Sequence, residues 1–395
     1  MTEMNSIRLS AFQMLLVFFG AWASHATCDD GSISFNRDVR PILAETCFHC
    51  HGPDEEGREA ELRLDIESSA SEDRGGYQAI SSGDLKASEA WSRIMSDDDD
   101  MLMPPPESHL SLNKKQKAVL KQWILEGAQY EGHWAFDPPH APDVPDVQRD
   151  GSRHASWGRN EIDSFVLAEL VKAGVSPSAE ADPRTLIRRL TFDLTGLPPT
   201  FEETRRFVRD YKTHGERAYQ EAVRRLIHSP HFGERMTVPW LDQARYADTN
   251  GYSIDGGRDM WLWRDWVIQA YNDNMPFDQF LREQLAGDLL PNATDAQLIA
   301  TGFNRNHMIT HEGGTIPEEN LTNYVADRVK TTSEVFLGLT FGCAQCHDHK
   351  YDPISQKEYY EFFAFFNELD DRGLDGNAGK NAMPSYAGKL SESEI

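Results

Sequence analysis

Apolar residues recur along most of the chain at intervals of three and four positions, the spacing that places them on one face of an α-helix. In the first third of the chain this pattern predicts a helix over Ser34–Leu43, a short helix over Ala87–Met95 and a longer one over Leu112–Ala128. The segment Asp65–Asp84 is rich in Ser, Gly and acidic residues and is predicted to be mostly loop. These elements predict a small helical domain over residues 33–130.

The helical pattern resumes near Asn160 and predicts a second, larger domain over residues 158–369. Its helices are expected at residues 160–170, Arg184–Leu194, Glu202–Tyr211, Ala218–Ile227, Trp261–Asn272, Phe277–Ala286, Tyr324–Leu339 and Lys357–Phe366. Almost no segment alternates with a period of two, so the fold is predicted to be mainly α. Four prolines mark residues 131–157 as a linker, and the polar, Gly-rich residues 370–395 predict a flexible tail.

The N-terminus predicts export. Arg8 precedes an apolar run over Leu9–Trp22, and small residues follow it, so residues 1–26 are interpreted as a signal peptide. We therefore expect a periplasmic or extracellular protein. The apolar run is short for a membrane span, and membrane association is expected only if the signal stays uncleaved.

The charge narrows the choice of partners. The formal net charge is −25, from 39 Lys and Arg against 64 Asp and Glu residues. Nucleic acid is excluded as an expected partner, because binding phosphates requires a basic surface. An acidic surface can steer a basic partner, although its ordinary role is to keep the protein soluble.

Four of the five cysteines fall into two copies of the pattern C-x-x-C-H, which is typical of covalent haem c attachment. The first copy comprises Cys47, Cys50 and His51, and the second Cys343, Cys346 and His347. In such a motif two sulfurs add to the haem vinyl groups, and the histidine becomes an axial ligand of the iron. We predict haem c at the first motif and a second haem c at the other.

Other uses of the cysteine pairs are weaker. A thioredoxin-like C-x-x-C would follow a strand in a βαβ unit, and no such strand is predicted. A zinc site would require further ligands at short spacing. A disulfide stays open, since paired cysteines in exported proteins usually form one.

The second axial ligand of the first haem is predicted to be Met103, in the stiff Pro-rich loop Met103–Pro106. Met101 and His109 are the rivals.

For the second haem the candidates are His307, Met308 and His311. His349 lies too close to His347 to reach the opposite face of the same haem, but it could serve another haem or metal, or form local hydrogen bonds.

A family resemblance follows from longer stretches. Cys47–Asp54, Leu62–Asp65 and Met103–Pro106 resemble the planctomycete-type cytochrome c domain, over about residues 33–130. The resemblance implies that Met103 is the distal ligand.

Residues 158–369 resemble the uncharacterised domain that commonly follows this cytochrome in large exported planctomycete-type proteins. The matching stretches are Leu190–Pro199, Trp240–Asp248, Met275–Asp278, Gln284–Pro291 and Cys343–Ile354. Such proteins often carry a further C-terminal domain, so we expect either a shortened product or a separate partner chain with that domain.

The sequence thus predicts an exported dihaem c-type cytochrome that transfers electrons with a redox partner protein. One alternative is a haem-dependent oxidoreductase acting on an exported organic or polysaccharide-derived substrate. The other is a non-haem binding or scaffold module with disulfide or metal sites.

Two further hypotheses concern the larger domain. A metal or acid–base site would draw on His347, His349, Asp352, Glu312 and Asp248. A sugar-stacking cleft would draw on its aromatic residues, which we interpret instead as core: Trp240, Tyr246, Tyr252, Trp261, Trp263 and Trp266.

Overall fold

The computed structural model describes residues 33–55, 57–146, 157–252, 254–374 and 382–386. The predicted signal peptide and Cys28 lie outside these residues, as do parts of the linker and the tail. Within the described residues, no helix has the length and apolar character needed to cross a membrane.

The described residues form helices joined by turns, and the predicted mainly α fold is confirmed. In chain order the α-helices are α1 (Arg40–Thr46), α2 (Phe48–His51), α3 (Glu67–Ala70), α4 (Glu89–Ile94), α5 (Lys114–Leu125), α6 (Glu161–Lys172), α7 (Pro183–Thr195), α8 (Phe201–His214), α9 (Glu216–Ile227), α10 (Pro230–Gln243), α11 (Trp261–Asn272), α12 (Phe277–Ala286), α13 (Asp295–Ala300), α14 (Pro317–Thr332) and α15 (Gln356–Asn367). Strands are absent from this part of the chain, which has only two isolated bridges, Gln78 with Ser88 and Thr249 with Gly257.

Five 3-10 turns and two π-helical turns complete the described elements. The 3-10 turns are Pro106–Ser108, Trp134–Phe136, Gly287–Leu289, Thr301–Arg305 and Phe341–Gln345, and the π turns are Phe35–Val39 and Ser333–Leu337. The helix predicted over Ser34–Leu43 is therefore a π turn that continues into α1.

The chain divides into two compact units. Of the described residues, the first unit comprises 33–41, Ser71–Glu131 and Pro138–Val144. The second comprises those within Ile42–Ala70, Gly132–Asp137 and the stretch from Pro145 to residue 386. The predicted domain boundaries stay predictions.

The first unit is organised around the C-terminal half of α5. Phe35 stacks at a ring-centroid distance of 5.7 Å from Trp123 and 4.5 Å from Tyr130. The carboxylate of Glu131 accepts hydrogen bonds from the backbone N–H groups of Phe35 and Asn36. These contacts join the first π turn to the segment that follows α5.

Three of the apolar clusters in the second unit pack its helices together. Helices α7, α8 and α9 pack around Ile187, Leu190, Phe207, Ala222 and Leu226. A central cluster contains Trp240, Ala244, Trp263, Val267, Ala270, Phe280 and Phe303, which confirms the core interpretation of Trp240 and Trp263. The third cluster packs α14 against α15 and contains Val325, Val329, Leu339, Ala344, Ile354, Tyr359 and Phe366.

Helix α10 was not predicted. Pro239 lies inside it and Gly233 in its second turn, two residues that argue against a helix in sequence. Gly233 is required by packing, because a Cβ there would lie 2.5 Å from the carbonyl oxygen of Ile268 in α11. Close contact between α10 and α11 thus overrides the local preference.

Candidate haem sites

The first C-x-x-C-H motif forms a single helical turn. Cys47 precedes α2, and its carbonyl oxygen accepts hydrogen bonds from the N–H groups of Cys50 (3.1 Å) and His51 (2.8 Å). Both cysteines are free thiols. A turn of this kind places two sulfurs and an imidazole on one short segment, which fits the donor set of haem c.

The residues after the motif hold this turn in place. The carbonyl oxygens of Cys50 and His51 accept hydrogen bonds from the N–H groups of Glu59 (2.8 Å) and Leu64 (2.9 Å). Gly52 lies so close that a Cβ there would be 2.3 Å from the carbonyl oxygen of Phe48. The backbone of the motif is therefore fixed by local contacts.

The thiol of Cys47 is held in its neutral form. Burial raises the pKa of this thiol above its ordinary value, against the opposing effect of a contact with the Thr46 hydroxyl at 3.4 Å. Because only the thiolate is strongly nucleophilic, this cysteine is poorly reactive toward ordinary oxidants at neutral pH.

Met103 lies in the first unit, where the chain leaves α4. Its N–H donates to the carbonyl oxygen of Arg93 at 3.2 Å, and its side chain is half-buried. The rivals Met101 and His109 are more exposed. The turn Cys47–His51 belongs to the second unit, and the pairing of Met103 with His51 stays a prediction.

The second motif has a different local structure. Cys343 lies in the 3-10 turn Phe341–Gln345, and its N–H donates to the carbonyl oxygen of Thr340 at 3.1 Å. Cys343 and Cys346 are exposed free thiols, and His347 is exposed. The sulfurs and the imidazole are thus accessible to a large planar group.

The imidazole of His347 is oriented by its own loop. Its Nδ1–H donates to the carbonyl oxygen of Asp348 at 2.7 Å, which leaves the lone pair on Nε2. A histidine that binds metal typically donates its other ring N–H to a carbonyl or carboxylate in this way. The donor set therefore fits axial ligation through Nε2.

Both ring nitrogens of His349 form hydrogen bonds near the same loop. Its Nδ1 accepts from the N–H of Asp352 at 2.8 Å, and its Nε2–H donates to the hydroxyl of Thr340 at 3.0 Å. Burial lowers the pKa of His349 below its ordinary value, which favours this neutral form. Of the roles considered from sequence, local hydrogen bonding is the one that the structure contains.

His133, which sequence reasoning missed, completes this network. It is buried, its Nδ1 accepts from the N–H of Ala135 at 3.3 Å, and its Nε2–H donates to the carboxylate of Asp352 at 2.9 Å. The two partners are 219 positions apart in sequence. The start of the Pro-rich linker is thus bound to the loop of the second motif.

The candidates for the second axial ligand differ in availability. His307 is buried, its Nδ1–H donates to the carbonyl oxygen of Met308 at 2.9 Å, and its Nε2 accepts from Arg328 at 2.6 Å. Met308 is 50% exposed, with its side chain beside Gly251. His311 is buried, and neither ring nitrogen has a hydrogen-bond partner in the described residues. The thioether of Met308 is the accessible donor of the three.

The hypothesis of a non-haem metal site gains no support. Among the described residues, no three His, Cys, Asp or Glu side chains are placed to hold a metal ion. The N–H of Asp352 instead donates to the Nδ1 of His349 within their common loop. Asp248 accepts a hydrogen bond from the hydroxyl of Tyr246 at 2.6 Å.

Comparison with protein families assigns both parts of the chain. A family model described as planctomycete cytochrome C (PSCyt1) matches residues 47–107. A second, PSCyt2, described as a protein of unknown function (DUF1549), matches residues 161–371, more than half of the chain. No curated protein and no solved structure matches the chain. The resemblance inferred from the sequence, and its order along the chain, are confirmed.

Proposed function

The chain belongs to the PSCyt2 family and carries a planctomycete cytochrome c domain ahead of it, and we propose that this cytochrome c-type protein is an exported dihaem electron carrier. Haem c would be bound by Cys47, Cys50 and His51, and a second haem c by Cys343, Cys346 and His347.

The observation that carries the proposal is the chemistry of the two motifs. Each supplies two free thiols and one histidine on a short turn, and one motif lies in each family match. The ring tautomer of His347 is the one that a metal-binding imidazole needs. Haem c in these positions would supply a one-electron Fe(III)/Fe(II) couple.

The role of the surrounding residues follows from their contacts. At the first motif, Gly52 and Leu64 fix the backbone that presents the thiols. At the second, Thr340, His349 and Asp352 fix the loop that carries His347. Met103 and Met308 are the thioethers we propose as second axial ligands, and methionine in that position raises the reduction potential.

Export and partners complete the proposal. The apolar run after Arg8 supports a signal peptide, and an oxidising compartment outside the cytoplasm suits c-type maturation. The net charge of −25 favours a redox partner with a basic docking surface.

The test is a count of covalent haem. The chain is matured with a c-type haem attachment system and compared with Cys47→Ala/Cys50→Ala and Cys343→Ala/Cys346→Ala variants by intact mass and pyridine haemochrome spectrum. We expect two haems in the wild type and one in each variant. A single haem that only the first pair of substitutions removes would contradict the dihaem proposal.

A second candidate is haem-dependent catalysis at the second motif. His307 has both ring nitrogens engaged, so an axial position without a protein ligand is compatible with the contacts there. If this position is open, cyanide or carbon monoxide should bind the second haem of the wild-type protein. If Met308 occupies it, such binding should occur only in a Met308→Ala variant.

A further inference from the structure

Four arginines gather in the second unit around the loop Asn304–His311. Arg258 is 8% and Arg328 1% exposed, and Arg245 and Arg305 are half-buried. Arg258 donates to the backbone carbonyl oxygens of Ala247, Arg305, Asn306 and His307 at 2.8–3.3 Å. The loop between α13 and α14 is thereby fastened to the segment before α11.

Carboxylates compensate only part of this charge. Asp371 is shared by Arg305 and Arg328, and Asp327 pairs with Arg245. Among the described residues no carboxylate forms an ion pair with Arg258. Asp248 and Asp255 attract Arg258 without forming an ion pair with it, and an incompletely compensated cation is costly to bury.

The surplus of positive charge is confined to this region, and it contributes to a shifted pKa. The whole chain carries a net charge of −25, so the arginine cluster does not reflect a general surplus of cations. Burial, with the neighbouring guanidinium groups of Arg258 and Arg328, lowers the pKa of Arg245 to about 10. Burial is the larger of these causes.

The same loop carries unsatisfied polar groups. In the described part of the chain, neither side-chain polar atom of Asn306 has a hydrogen-bond partner, and the same holds for both ring nitrogens of His311. Both residues are at least nine-tenths buried. Buried polar atoms are rarely left unpaired in folded proteins. Neither residue lines the cavity beside this loop, so they mark the loop as polar and do not identify a ligand.

A cavity of about 300 Å³ borders this cluster. Arg258, Arg305 and Asn250 line it together with apolar side chains that include Met260, Leu298 and Ile309. Asp259 and Asp288, both exposed, also contribute to its lining. Its size suits a small organic molecule, and its walls combine cations with apolar surface.

We propose that this cavity binds a small organic anion, whose carboxylate, sulfate or phosphate group is held at Arg258 and Arg305 and whose apolar body lies against Met260, Leu298 and Ile309. Arg258 already donates to four backbone carbonyl oxygens, and Arg305 donates to Asp371 and to the carbonyl oxygens of Ala382 and Met383. They would therefore hold the oxyanion by their charge and by the few N–H groups that these contacts leave. No residue of either C-x-x-C-H motif lines this cavity, and Ile309 in its wall directly follows Met308, the residue proposed above to ligate the second haem.

Calorimetric titration of the full-length matured protein tests the proposal. The probes are sodium benzoate, acetate, sulfate and phosphate, each compared with sodium chloride at equal ionic strength. Benzoate is expected to bind saturably and more tightly than acetate, because it adds apolar contacts. No saturable binding by any probe would overturn the proposal, as would binding by sulfate or phosphate alone.

Two variants locate the binding. Arg305→Gln removes one cation and should weaken benzoate binding by about tenfold or more. Leu298→Trp fills the cavity while keeping all four arginines, and should abolish binding. Arg205→Gln, an exposed arginine of α8, is the charge-matched control. Unchanged affinity in the Leu298→Trp protein, with a native circular dichroism spectrum, would show that the cavity is not the site.

Discussion

At the scale of single residues, the glycine after the first motif is set by its surroundings. Gly52 has an extended backbone that other residues adopt, yet a Cβ there would lie 2.3 Å from the carbonyl oxygen of Phe48 and 2.8 Å from its Cβ. The contact is with a fixed backbone, so relief requires movement of α2 itself.

We therefore expect Gly52→Ala to destabilise the protein by about 1–3 kcal/mol, the usual cost of overpacking. It should also reduce haem attachment at Cys47 and Cys50, measured by peptide mass. Gly342→Ala is the matched control, because its neighbourhood is open, with only the Cγ of Lys330 at 4.0 Å. Equal effects of the two substitutions would argue against the packing explanation.

His307 is a buried residue whose ionisation opposes folding. Burial, together with Arg328, Arg305 and Arg245, lowers its pKa well below 6.5 in the folded chain. The unfolded chain therefore binds a proton first as the pH falls. The contribution of neutral His307 to stability is fully present above about pH 6.5 and is lost progressively below it.

The expected result is a fall in Tm between pH 7.5 and pH 5.5 that is smaller in His307→Gln, whose amide oxygen still accepts from Arg328. His214→Gln alters an exposed histidine of α8 and should leave the pH dependence unchanged. If the Tm of His307→Gln falls with pH as steeply as that of the wild type, groups other than His307 cause the pH dependence.

At the scale of elements, the 3-10 turn Trp134–Phe136 is held on the second unit by one histidine. His133 donates to Asp352, and the N–H of Asp352 donates to His349. The turn therefore acts on the loop of the second motif through hydrogen bonds rather than through extensive apolar burial, since Trp134 and Phe136 are 62% and 63% exposed.

Replacing His133 by Phe should cost about 1–3 kcal/mol, because the half-buried carboxylate of Asp352 loses its donor. Amide hydrogen exchange should become faster in residues 132–137 and 340–354. His140→Phe, an exposed linker histidine, serves as control. Because exchange is read at the backbone, the result does not depend on whether the second motif carries haem. Unchanged exchange at residues 340–354 would contradict the coupling.

The sequence predicts the helices whose signals are local and does not predict the one that depends on contacts with another helix. The sequence predicts helices α5, α11 and α12 within a few residues, because their apolar spacing is local. Helix α10 is not predicted, since it contains Pro239 and Gly233, and the packing of α11 against Gly233 is not visible in a local pattern.

The candidate sites divide in the same way. The cysteines and histidines of both motifs are adjacent in sequence, so their chemistry is readable from spacing alone. His133 lies 219 positions from its partner within a Pro-rich segment that has no periodicity. The arginine cluster likewise joins residues of three separate segments, which no local pattern indicates.

At the scale of the whole molecule, the surplus of acidic residues governs encounters with other proteins. A net charge of −25 attracts basic partners over the distance that salt allows, about 8 Å at physiological ionic strength. We expect the second-order rate of electron exchange with a basic cytochrome to fall by about tenfold or more between low and high salt. Stopped-flow measurement checks this, with an acidic cytochrome as the comparison. A rate that does not change with salt would exclude steering by net charge.

The anchored linker also determines where the protein can be divided. A fragment that starts at residue 158 keeps Cys343, Cys346 and His347 but loses His133, so the Asp352 carboxylate is left without its imidazole donor. A fragment that starts at Gly132 retains the turn and the network beneath the second motif. Fragments of this chain should therefore begin at Gly132, so that the hydrogen bond between His133 and Asp352 is kept. We expect the fragment that begins at residue 158 to bind haem less well at the second motif.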